Sequence, residues 1–350
     1  MAERSQIDSW FTDNLVCPRD HQSLRLVEAS LACQSGHTYQ IVDGIPVMLL
    51  DDVLQTIEVA RDSLRHAHAF ADTGGPGLYL ETISISEEEK RGVVELAGKN
   101  CWIDPVVAYL VAATNGLMYR HLVGDLAEYP IPAIPLPAGN GRTLLDVGCS
   151  WGRWSIAASA KGYQVVGIDP SLGAVMAAHR VARQLGLANR YVVGDARHLP
   201  FRSRSIDTAY SYSVLQHFSR DDAVRSLAEV GRILKPGGVA KIQMPTRFGL
   251  RCLYHQTRRA FREGRGFEVR YWSLPELRHL FTRCVGHTRF EVDCYFGIGL
   301  QSSDEHLMTP SLRLVMRASE GLKTASRHLR RLVWVADSVF AESVKATGAS

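Results

Sequence analysis

Three aspartates stand where an apolar run gives way to a turn: Asp146 in LLDVGCSWGRWS, Asp169 in VVGIDPS and Asp195 in VVGDA. After Asp146 come Gly148 and Gly152, spaced G-x-x-x-G, and then a helical period. Glycine there lets a ligand approach the backbone more closely than a Cβ allows, and the helix start offers free N–H groups to an anion. A dinucleotide pyrophosphate calls for the tighter G-x-G-x-x-G, and three carboxylates would repel it. Asp169 lies about 20 residues past the first glycine, where a carboxylate accepts from ribose hydroxyls. Asp195 and the Ala196 N–H are placed to read an adenine edge. The set suits a nucleoside that carries positive charge.

Those residues need strands to end beside one another and helices to follow them. Apolar runs alternating with helical periods predict strands at Thr143–Gly148, Gln164–Asp169, Arg190–Asp195, Ile206–Ser213 and Gly238–Pro245, the signature of a parallel sheet covered on both faces. Helices are predicted from Gly152 to Lys161, from the N-cap Ser171 to Gly186, and from Arg220 to Lys235, where Pro236-Gly237-Gly238 follows. Ser273-Leu274-Pro275-Glu276 has capping-box spacing before a helix to about Phe281, and a strand Thr288–Phe296 follows. Residues 311–331 read as a C-terminal helix and Ser338–Lys345 as a last edge strand. The expected fold is α/β, a doubly wound, mostly parallel seven-stranded Rossmann-like sheet with a small N-terminal β-rich module and a helical cap.

Length and composition bound the rest. The 350 residues exceed a usual single domain, and 46% hydrophobic with 22% charged residues is ordinary for a globular chain. Apolar stretches such as Val106–Ala113 are far shorter than the ~18–20 residues of a membrane span. No secretory or organellar signal is read in MAERSQIDSW, so the expected location is cytoplasmic. Seven scattered cysteines argue against a disulfide framework. A net charge of +4 permits an anionic partner without requiring one. The run YPIPAIPLPAGNGR, Tyr129–Arg142, has four prolines and marks a boundary. The division expected is a module over 1–52, a helical cap over 53–128 and the main domain over 129–350, with a basic insertion at 247–272.

In LLDVGCSWG, VVGIDPS, VVGDARHLPF, SIDTAYSYSVLQHF and EVGRILKPGG, in that order over about 100 residues, the chain resembles the class I S-adenosylmethionine-dependent methyltransferases. The nearest branch is that of small-molecule enzymes of the ubiquinone-biosynthesis type. Their cofactor carries a sulfonium and an ammonium, which fits the acidic strand ends. The resemblance implies that Gly148, Cys149 and Ser150 pass their backbone under the methionine part, with Asp146 steadying the loop and Gly152 opening the helix. It implies that Asp169 holds the ribose, Pro170 or Ser171 flanks the adenine, Asp195 and Ala196 bind its edge, and Ser211 lies beneath the sulfonium. Tyr119, in the apolar-periodic stretch Asp104–Leu126, is a candidate for the methionine carboxylate, with plain helix packing the favoured role. Trp154 is expected in the core, and Cys149 to lend backbone rather than thiolate.

For catalysis the candidates are His217 and His255, since a hydroxyl or carbon nucleophile needs a base near neutral pKa. The insertion supplies Arg251, Tyr254, Arg258, Tyr271 and Trp272 as substrate candidates with Tyr212, and its arginines suggest an anionic small molecule such as a sugar, lipid-linked glycan or secondary metabolite. The fourth strand is followed by neither Pro-Pro-Tyr nor Pro-Cys, against base methylation of nucleic acid. RNA methylation and a noncatalytic partner role are the alternatives. Residues 15–50 resemble the short zinc-ribbon-like domain that activates some tRNA and protein methyltransferases, although the second members of its Cys-x-x-Cys pairs fall at Asp20 and Gly36. Cys17, His21, Cys33 and His37 would form a Cys2His2 zinc set with an unusual gap. Packing without metal is the favoured expectation. Oligomeric state is not read from the sequence.

Overall fold

The computed structural model describes residues 7–69, 77–99, 101–115, 117–297 and 299–347. The reading of the first six residues, 1–6, lies outside the described residues. A short helix, α1 (Ser9–Asn14), starts where Asp8 accepts from Trp10 N. Four antiparallel strands follow in the order of the chain: β1 (Arg25–Val27), β2 (Ser30–Ala32), β3 (Thr38–Val42) and β4 (Ile45–Pro46). Next come α2 (Glu58–Ala69), α3 (Glu87–Ala97), opened by a Ser86–Glu89 capping box, and α4 (Pro105–Asn115). Asp104–Leu126 is therefore not one helix. It divides into α4 and a 3-10 turn, Leu117–Leu122.

The large sheet is built from β5 (Thr143–Val147), β6 (Gln164–Asp169), β7 (Arg190–Val193), β8 (Ile206–Ser211), β9 (Leu234–Pro245), β10 (Gly286–Cys294) and β11 (Ser338–Lys345). Between them lie α5 (Arg153–Ala160), α6 (Leu172–Gln184), α7 (Arg220–Ile233), α8 (Leu250–Arg258), α9 (Leu274–Cys284) and α10 (Pro310–Ser326). The strand order is β10-β11-β9-β8-β5-β6-β7, with β5 to β9 parallel. Leu144, Leu145, Val165, Val166, Val192 and Val193 are all buried because helices cover both faces. The winding reverses between β5 and β8, and the crevice at such a switch point is where ligands bind in open α/β sheets.

Three sequence expectations change. Ser338–Lys345 is not an edge strand: it inserts between β9 and β10, antiparallel to both, and β10 takes the edge. Alternation within a strand does not reveal which strands flank it. The helix expected over 311–331 stops at Ser326 and gives way to a 3-10 turn, Arg330–Val335, whose spacing a 3.6-residue pattern does not separate. Helix α7 ends at Ile233, and Pro236-Gly237 belongs to β9, where Gly237 takes φ 75° beside a register shift opposite Ile206–Thr208. Such a bulge accommodates proline within a sheet.

The N-terminal strands are stitched onto the large sheet. Val47 bridges Val193 in parallel, Met48 N donates to Val193 O at 2.7 Å, and Leu15 bridges Phe201. The segment carrying α2 and the 3-10 turn Leu80–Thr82 is anchored at the start of α6: Ser63 Oγ donates to Pro170 O at 2.8 Å and Thr82 Oγ1 accepts from Gly173 N at 2.7 Å. Asp104 caps α4 and takes a forked pair from Arg180, at 2.7 and 3.1 Å.

Candidate active site

The loop after β5 is fixed by backbone rather than by side-chain chemistry. Gly148 takes φ 75°, and a Cβ there would meet the Val214 side chain at 2.3 Å. Gly152, at φ 82°, is the N-cap of α5, and a Cβ on it would meet Tyr191 and Ala178. Gly148 N and Cys149 N donate to Ile168 O, so the loop is tied to the end of β6. Cys149 is buried and burial raises its thiol pKa, so the thiol stays protonated. Trp154 packs on Tyr210 and Tyr212, with ring centroids 5.2 and 4.7 Å away, as core.

Asp146, 1% exposed, accepts from Ser155 Oγ at 2.7 Å. Asp169 accepts from Ser150 N and Ser171 N, both at 3.0 Å, which brings Ser150 and the residue after Pro170 to one carboxylate. Burial pushes Asp146 up to about 7, aided by the charge on Asp169, and burial pushes Asp169 up to about 6. Neither has a cation paired with it among the described residues. Carboxyls with raised pKa values are ionised more readily when a cation arrives beside them.

Other expected contacts are occupied. Asp195 and Arg197, each 6% exposed in the side chain, form a forked pair with Nη2 2.7 Å from Oδ2. Asp195 is therefore saturated by a guanidinium rather than presented to an adenine edge; Ala196 is buried beside it. Ser211 Oγ donates to Val147 O at 2.8 Å, so its hydroxyl is spent between strands β8 and β5. Tyr119 is fully buried with its hydroxyl on Asp304, which also holds Arg153 from the first turn of α5. It packs behind the loop instead of reaching a carboxylate from above. Sequence reasoning missed Asp304 because it lies about 150 residues from Arg153, and no spacing links them.

His217 stacks on Phe267 with ring centroids 3.9 Å apart. Its Nδ1–H donates to Phe267 O at 2.7 Å, which leaves Nε2 to accept from Gln216 Nε2 at 3.1 Å. Burial pushes its pKa down to about 4. The ring is neutral and its lone pair is engaged, so it positions the 267 loop and is a poor base. His255 stands exposed on α8, 3.4 Å from Arg251 Nε.

The insertion is α8 and a loop closed by a Thr246–Trp272 bridge. Its arginines mostly hold the loop itself: Arg270 Nη1 donates to the carbonyls of His217, Gly266 and Glu268 at 2.6–2.8 Å, Arg259 to Val269 O, and Arg262 pairs with Glu268. Trp272 is buried under Arg220, 4.2 Å from ring to guanidinium carbon. Tyr271 helps line a cleft of about 240 Å³ with Arg247, Arg259, Arg262 and Arg270. Arg258 lies over the exposed Tyr254, and Tyr212 Oη bonds Asp293 and Gln301.

In the N-terminal module the structure brings Cys17, Cys33 and His37 together, but not His21. His21 takes φ 58°, which turns its ring away to 3.8 Å from Glu229, and Asp20 fills the fourth place. Two thiols, an imidazole and a carboxylate fit zinc by donor chemistry.

Residues 144–238 match the family described as methyltransferase domain. A malonyl-[acyl-carrier protein] O-methyltransferase of Pectobacterium atrosepticum is 38% identical over 104 residues, 30% of this chain and 39% of that protein. The biotin biosynthesis bifunctional protein BioHC of Cellvibrio japonicus is 32% identical over 165 residues, 47% of this chain and 29% of that protein. The chain thus spans less than half the length of these curated relatives. Among solved structures, a SAM-dependent methyltransferase from Methanosarcina mazei is similar at TM-score 0.42 and 21% identity, covering 60% of this chain and 94% of that one. The glycine loop and strands β6 to β8 fall within the span matched as methyltransferase domain, which opens at the second residue of β5. The match runs from Leu144 to Gly238.

Proposed function

We propose that the protein transfers a methyl group from S-adenosylmethionine to an ionised oxygen of a small anionic molecule, with a carboxylate as the leading class. The observation that carries the reading is the carboxylate pair Asp146, buried, and Asp169, half-buried, at the carboxyl ends of β5 and β6, with no cation paired to either among the described residues. Asp169 would exchange its bonds to Ser150 N and Ser171 N for ribose hydroxyls, while Asp146 would hold the loop and balance the positive charge. The cofactor supplies a methyl group on a sulfonium, whose charge makes sulfur a good leaving group.

The remaining task for the chain is alignment and exclusion of water. A hydroxyl substrate would need a base, and His217 is held neutral with Nε2 engaged. A carboxylate arrives already ionised and needs none. In the cleft walled by Arg259, Arg262 and Arg270, Arg247 supports an anionic substrate, since guanidinium donors form a fork that matches a carboxylate. The relative named as a malonyl-[acyl-carrier protein] O-methyltransferase favours the same chemistry.

The test is incubation with methyl-labelled cofactor and a panel of free and thioester-carried dicarboxylic acids. Labelled methyl ester, lost in Asp169→Ala, is the expected outcome. Label that appears only in an RNA fraction, or in no fraction, would sink the proposal.

A further inference from the structure

The turn after α1 and the hairpin between β2 and β3 meet at four donor atoms. Within the first, His21 N donates to Cys17 O at 2.9 Å, a turn that sets Asp20 beside Cys17. Within the second, Cys33 N donates to His37 O at 3.0 Å and brings the two side chains together. The Nδ1 of His37 lies 3.4 Å from Cys17 Sγ, 3.4 Å from Cys33 Sγ and 3.4 Å from Asp20 Oδ2. Cys33 Sγ lies 3.8 Å from Asp20 Oδ2, and all four atoms fall within 4.8 Å of one another.

Hydrogen bonding does not account for this arrangement. One ring nitrogen has one hydrogen or one lone pair to offer, not three equal partners. Ligand bonds of ~2.3 Å for sulfur and ~2.0–2.2 Å for nitrogen and oxygen give tetrahedral edges of about 3.4–3.8 Å. The four separations of 3.4–3.8 Å match those edges. Both thiols are buried while Asp20 stands exposed at the mouth, which gives an ion a way in. Tyr39 Oη, 3.1 Å from Cys17 Sγ, is placed to donate to a thiolate, the outer support expected of a metal ligand.

We propose that Cys17, Asp20, Cys33 and His37 bind one zinc ion, with Asp20 and not His21 as the fourth ligand. Zinc is the ion favoured by two thiolates, an imidazole and a carboxylate in a tetrahedron. Four protein ligands leave no open position, so the ion is structural. Two thiol protons are released as it binds. It clamps the 17–20 turn to the 33–37 hairpin, and both continue into segments bonded to the large domain, Val16 N to Pro200 O in the β7–β8 connection at 2.9 Å and Met48 N to Val193 O at the end of β7 at 2.7 Å.

The test uses the full chain purified without chelator. Elemental analysis should give about one zinc per chain, and exchange for Co²⁺ should give the visible spectrum of a tetrahedral thiolate site. Asp20→Ala should lower zinc retention against a competing chelator by at least the ~10–100-fold that outer partners alone command, with His21→Ala unchanged. Asp20→Cys should tighten retention, a gain that no packing role for Asp20 produces and that keeps the test open if the alanine variant fails to fold. Metal-free protein whose Tm is unmoved by zinc or chelator overturns the proposal. Zinc lost in His21→Ala but kept in Asp20→Ala overturns the ligand assignment.

Discussion

The carboxyl edge of β5 and β6 and the insertion after β9 are both rich in charge, yet they hold it in opposite ways. On the edge, Asp146 is buried and Asp169 half-buried; both accept a few short bonds and meet no cation among the described residues. In the insertion, Arg259, Arg262 and Arg270 spend their donors on the loop that carries them. Charge that is buried and unmatched is poised for a ligand, whereas charge that is already matched builds a wall. Count and sign of charges in a sequence do not distinguish the two.

The comparison breaks most severely at the pair behind the glycine loop. Asp304→Ala leaves Arg153 buried and unpaired, and should cost about 3–5 kcal/mol, read as a fall in the denaturant midpoint at unchanged slope. A loss below about 1 kcal/mol would show that the loop does not rest on this pair. Next, Asp169→Ala removes two charge-assisted acceptors from the edge, and calorimetry should show cofactor affinity falling by about 100-fold. Unchanged affinity would place the cofactor elsewhere.

The pH dependence sharpens the contrast, because raised acids behave unlike paired ones. With Asp169 at about 6, cofactor affinity should rise about fourfold between pH 5.5 and 7.5 from this group alone. In the free protein the sign reverses. An acid whose folded pKa is raised contributes stability that is present below its unfolded value near 4 and lost as pH rises through the folded value. Relative to Asp146→Asn, the parent should therefore lose stability between about pH 4 and pH 7 in paired thermal melts. A flat difference would mean that Asp146 titrates normally.

The smallest effect belongs to the exposed arginines. Arg258→Ala should leave stability within about 0.5 kcal/mol, and act, if at all, on KM for an anionic substrate. Arg270→Ala, which strands three carbonyls, should cost about 1–3 kcal/mol. Equal effects from the two would erase the distinction between wall and ligand contact.

Much of this was legible along the chain. Ser171, Ser273 with Glu276, and Gly186 mark helix ends where the structure has them, because capping is local chemistry between residues a few positions apart. The glycine loop and the acids at Asp146 and Asp169 were legible for the same reason: a strand, a tight turn and a helix start must follow in order. Asp195, Ser211 and Tyr119 read as cofactor residues by position, yet their polar atoms go to Arg197, Val147 O and Asp304. Nothing local announces such a partner.

The sequence by itself determined the alternating fold, the glycine loop after β5 and the acids at the ends of β5 and β6. The tertiary structure decided which charges remain free to act. It also decided that β11 enters beside β9, that Asp304 meets Arg153, and that a left-handed residue at His21 hands the fourth corner of a donor cluster to Asp20. The physical reason is common to all three. Backbone propensity and capping act over a few residues, whereas the partner of a buried polar atom is chosen by where distant segments pack.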